Sequence, residues 1–95
     1  MPSFAKIMMD KAYELRRDAL DRDEISLSFG YDAFENMINN VHHGNSPAEW
    51  VPRIVQIYSD LSIFEEDEAK AITEMISLTY EIADKYNISI PRENG

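Results

Sequence analysis

Apolar positions recur at helical spacing along most of this chain. Phe4, Met8, Ala12, Leu15 and Ala19 follow one another at intervals of four, four, three and four, which sets them on one face of a helix, with Ser3 placed to cap it. The pairs Lys6 with Asp10, Arg17 with Asp21 and Asp18 with Arg22 are i,i+4 partners suited to the wet side. The spacing predicts a first helix over 4–20. The stretch "DRDEISLSFGY" breaks the pattern, and Ile25 and Leu27 are expected to tuck a loop onto the core. Phe34, Met37, Ile38 and Val41 then define a second helix, over about 29–43. It starts either near Ser28 or at Asp32, which forms a capping-box pattern with Glu35.

The stretch "HHGNSPAEW", residues 42–50, raises the question of site or punctuation. Gly44 is placed where a helix ends in a left-handed residue, and His42 and His43 face the negative end of the helix dipole. Ser46, Pro47 and Glu49 supply a cap, a first-turn proline and the acid of a capping box. The stretch therefore reads as a helix stop followed by a helix start. Trp50 has two readings, a core anchor or an interface residue at a loop–helix corner.

A third helical segment spans 47–61, with Ile54, Val55, Tyr58 and Leu61 on its apolar face. Pro52 removes an interior hydrogen bond, which predicts one short turn at 47–50 and a restart near Pro52. The fourth helix, over 63–86, opens with Ser62 and Glu65 as a second capping box and places the acids of "EEDE" at the positive end of its dipole. Ile72, Met75, Ile76, Thr79, Ile82, Ala83 and Tyr86 form its inward stripe, Lys85 lies in the last turn, and Asn87 is the terminator. The expectation is an all-α fold: one domain over 1–95, a compact bundle of about four helices, with 91–95 frayed.

Composition sharpens this picture. Hydrophobic residues make up 44% of the 95, enough for a folded core despite a net charge of −9. Residues 1–22 carry five basic and four acidic groups, whereas 23–95 carry four basic and fourteen acidic ones. A surface of that sign repels nucleic acid and anionic lipid and favours a basic protein partner. The absence of cysteine removes disulfides and thiolate chemistry and fits a reducing cytoplasm. No uninterrupted apolar run suggests a signal peptide or membrane span.

Catalytic signatures are weak. With three glycines there is no phosphate-cradling loop, and no nucleophile-elbow motif occurs. His42 and His43, as helical neighbours, point about 100° apart and do not share one ion, although Glu35, Asn39 and His42 share a face. Glu65-x-x-Glu68 and Glu81-x-x-Asp84 have the residue types of the carboxylates in all-α nucleotide pyrophosphohydrolases, but Glu68 and Glu81 fall on one helix roughly 20 Å apart. No catalytic residue, metal ligand or cofactor is expected. Asp67, Glu74 and Glu81 recur every seven residues, with Asp84 nearby, so they and Trp50 are the candidate partner-binding residues.

The run "FENMINNVHHGNSPAEWVPRIVQIYSDLSIFEEDEAKAITEMISL" is similar in organisation to small helical immunity proteins of bacterial toxin systems: a helix ending in His-Gly, a following helix, and a turn into an acid-rich last helix. It covers about half the chain. The resemblance implies tight binding to a cognate toxin, often a basic nuclease, through acidic and aromatic residues. Two other classes remain: a structural or regulatory homodimer, and an enzyme using Glu35, His42 or His43 across a subunit boundary.

Overall fold

The computed structural model describes residues 3–92, and these are all-α, with no strand among them. The helices are α1 (Phe4–Asp21), α2 (Ile25–Val41), α3 (Pro47–Ile57) and α4 (Glu66–Lys85), with a single 3₁₀ turn at Leu61–Ile63. Ser3 caps α1 as expected, its hydroxyl accepting from the Lys6 amide at 3.1 Å. No helix among the described residues is long and apolar enough to cross a membrane.

α2 starts earlier than the apolar spacing predicts. The break after α1 is only three residues, because Asp23 adopts a left-handed φ of 58° and reverses the chain at once. The Glu24 amide donates to Ala19 at 2.8 Å and the Asp23 amide to Leu20 at 3.1 Å, the paired bonds of a Schellman stop. Ile25 and Leu27 therefore lie in α2 and not in a loop, and Asp32 and Glu35 are interior residues instead of a capping box. The same stop ends α4. Asn87, the expected terminator, has φ 57°, and the Ile88 amide reaches Ala83 at 2.8 Å.

Pro52 does not divide α3, which runs unbroken from Pro47 to Ile57. An interior proline costs about 3 kcal/mol; here the buried side chains of Trp50, Val51 and Ile54 hold the helix against the core. The expected fourth-helix cap is also wrong. Asp60 accepts from both the Ser62 amide (3.0 Å) and the Ser62 hydroxyl (2.6 Å), so Ser62 is consumed in a local turn and α4 starts after Glu65.

α2 is the central helix, packed against each of the others, whereas α1 and α4 scarcely meet. Gly30 sets the α2–α4 approach: a Cβ there would lie 2.6 Å from the Cβ of Ala71 and from the carbonyl oxygen of Glu68. Only glycine fits at that distance. The core contains Met8, Phe34, Trp50, Ile54, Ile72 and Met75. Trp50 lies 5.8 Å, centroid to centroid, from Phe4, and Phe34 stacks with Tyr58 at 6.1 Å. Tyr86, expected to point inward, is 41% exposed as the C-cap of α4. Of the tail expected to fray, 93–95 lie outside the described residues. Arg92 is held, with its guanidinium 3.1 Å from Asp84 and 4.5 Å over the Tyr80 ring.

Candidate functional site

The acidic stripe of α4 exists as a row of exposed carboxylates, but its members are differently engaged. Asp67 is exposed and forms no ion pair among the described residues. Glu74 accepts a hydrogen bond from the phenol of Tyr31, tying α4 to α2. Tyr31 is buried, and burial first, then this bond, pushes its phenol well above the usual tyrosine range. Glu81 stands at the rim of an open groove of about 420 Å³ between α1 and α4, floored by Ile7, Leu78 and Ile82, with Lys11 and Lys85 at its edges. Asp84 is paired with Arg92. Lys70 and Lys85 interrupt the row, so the stripe is less uniformly negative than its seven-residue period suggests.

Trp50 leaves the candidate surface. At 2% exposure it is a core residue, because the capping box at Ser46 fixes the entry angle of α3 and turns the indole toward Phe4. The Glu49 carboxylate accepts from the Ser46 amide at 3.2 Å and the Ser46 hydroxyl at 3.1 Å. Gly44 has φ 71°, and the Asn45 side-chain amide donates to the carbonyl oxygen of Val41 at 2.9 Å. His42 caps α2, its Nδ1 lying 2.9 Å from the carbonyl oxygen of Ile38, and its ring lies against that of His43, tilted by 38° with centroids 4.0 Å apart. The stretch that opened the question of a site is occupied with ending one helix and starting another.

Glu35 is half-buried beside the α1–α2 contact, and burial lifts its carboxyl above the usual range against the opposing pull of Arg16. Arg16 stacks over Tyr13 at 4.9 Å and stands 4.0 Å from Asp32. Among the described residues no group of three histidine and carboxylate side chains converges to hold a metal ion.

What the sequence reading missed is an exposed apolar patch. Ile63 is 79% exposed, Phe29 57% and Ile25 46%. Ser26, Phe29 and Ala33 stand at i, i+3 and i+7 and therefore share one ridge of α2, on the side away from Tyr31 and Ile38. The connection from α3 to α4 is tied along that ridge. Tyr58 donates to the carbonyl oxygen of Ala33 at 3.2 Å, and the Ser26 hydroxyl lies 3.4 Å from the Glu65 carboxylate. Ile63, between those two ties, is thereby brought to the side of α2 that carries Phe29. Asp32, Asp60, Glu65 and Glu66 are acids on or next to these two segments. The signal was present as the apolar pair Ile25 and Phe29 at i,i+4, and it was hidden because 23–28 read as a loop.

Comparison of the chain with protein-family models, with curated proteins and with solved structures gives no match.

Proposed function

We propose that this chain is a non-catalytic, acidic protein-binding domain that recognises and neutralises a basic partner, such as a nucleic-acid enzyme, in a reducing cytoplasm. The observation that carries the reading is that the negative excess stays on the surface and is not consumed internally. Glu65, Glu66, Asp67 and Glu81 are exposed and form no ion pair among the described residues. Fixed charge of one sign steers an oppositely charged protein and raises its association rate. The similarity in organisation to small helical immunity proteins points the same way.

The test is capture of interacting proteins from native cells on the tagged chain, at low and then raised salt. The expected result is retention of a basic protein that salt releases. Lysine substitution of the exposed Glu65 and Glu66 weakens that retention. Recovery of the tagged protein's own untagged copies alone would replace this reading with the alternative of a structural or regulatory homodimer.

A further inference from the structure

We propose that the docking surface is not the α4 stripe but the apolar patch of Ile25, Phe29 and Ile63, and that its occupant is a basic protein segment presenting an apolar anchor ringed by lysine or arginine. This rests on the reading of the chain as an acidic binding domain and gives that domain a place to bind.

Phe29 and Ile63 are the two most exposed large apolar side chains among the described residues, and the ties from Tyr58 to Ala33 and from Ser26 to Glu65 lead the connection that carries Ile63 along the ridge of α2 that carries Phe29. An exposed Phe at 57% and an Ile at 79% leave apolar area in water that a partner would remove, and aromatic residues at the centre of a desolvated patch carry a large share of binding energy. The rim selects the occupant. Asp32 follows Phe29 by three residues on α2, Asp60, Glu65 and Glu66 lie on or next to the connection that carries Ile63, and the base on the α1 side, Arg16, is set against Asp32. A second copy docking by the same patch would set one acid-rimmed face against an identical one, since a two-fold interface pairs the same surface on both subunits. A basic rim on the partner removes that repulsion and supplies charge-assisted contacts.

The α4 stripe is less suited to a basic partner, because the apolar groove beside Glu81 is lined by Lys11 and Lys85 as well. Glu74 is bonded to Tyr31, Asp84 to Arg92, and Lys70 and Lys85 stand among the acids.

The experiment is selection of a displayed library of short random peptides on the wild-type protein, followed by affinity measurements of the enriched peptides on Phe29→Ala, Ile63→Ala and a Glu74→Lys/Glu81→Lys double variant. Circular dichroism checks each fold. The expected outcome is enrichment of cationic peptides with one or two aliphatic or aromatic residues, bound about tenfold or more weakly by Phe29→Ala and Ile63→Ala. The double variant is expected to bind them within about threefold of wild type, by the short range of screened surface charges. Cationic peptides that are indifferent to Phe29 and Ile63 but lost in the double variant would overturn this inference and leave the basic-partner reading standing. Enrichment of neutral or acidic peptides would overturn both. Because Phe29 and Ile63 are exposed, their truncation leaves the core intact, and loss of binding with an unchanged melting temperature cannot be ascribed to unfolding.

Discussion

The two sides of α2 are both apolar, and they have opposite fates. One side carries Gly30, Tyr31, Phe34 and Ile38, all sealed against the other helices. The other carries Ile25 and Phe29, left in water. Hydrophobicity alone does not distinguish them; what does is whether a neighbouring element closes over the residue. α4 closes over Gly30 because glycine permits the approach, whereas the connection beside Phe29 contributes another exposed side chain, Ile63, instead of a cover. Substitutions on the first side are therefore expected to act on folding, and those on the second on binding.

The largest expected effect is on the sealed side. Phe34→Ala removes a ring that is 1% exposed and stacked on Tyr58. A loss of about 3–5 kcal/mol is expected from the vanished burial and the cavity left behind, read by denaturant titration. Gly30→Ala comes next. It inserts a methyl group where Ala71 and the Glu68 backbone already stand, so a cost of about 1–3 kcal/mol is expected even though alanine is the better helix former.

Tyr31→Phe keeps the ring and removes the bond to Glu74, for a cost of about 1 kcal/mol. It also carries a pH signature. The folded phenol holds its proton above the usual tyrosine range, so as pH rises through that range the unfolded chain loses its proton first and stability falls. The variant is expected to show a shallower alkaline decline in melting temperature. On the bare side, Phe29→Ala is expected to change stability by no more than about 0.5 kcal/mol while weakening binding of a basic ligand.

Glu35→Gln is the mildest case. The folded state holds this proton where the unfolded chain has released it, so stability falls as pH rises through the carboxylate range. The glutamine variant should melt slightly higher than wild type at neutral pH, with the difference closing in acid. An unchanged pH dependence would show that the half-buried carboxyl of Glu35 does not weaken α2.

Much of this architecture was legible in the sequence, and the exceptions are instructive in pairs. Ser46 with Glu49 and Ser62 with Glu65 spell the same capping signature. The first starts a helix, because Gly44 has just ended one and Pro47 is preset for the first turn. The second fails because Asp60, two residues upstream, captures Ser62 before it can cap anything. A motif is decided by its local competitors. The start of α2 was misread for a related reason: Asp23 supplies the left-handed residue that glycine usually supplies, so the stop after α1 was taken for a longer break. That misreading concealed Ile25 and Phe29 as helical neighbours. The candidate site suffered accordingly. Charge periodicity located the carboxylates of α4 but not their internal partners, and of the two readings of Trp50 the fold realises the core anchor and not the interface residue.

Sedimentation velocity of the wild-type protein over a wide concentration range, at low and at raised salt, decides whether the bare face of α2 is kept for a basic partner or for a second copy. A bare face rimmed by acids and reserved for a basic partner gives a monomer at low salt, joined by a cationic ligand only through Phe29 and Ile63. A tight dimer already present at low salt, and split by Phe29→Asp, would contradict it: the face would then belong to a second copy of the chain.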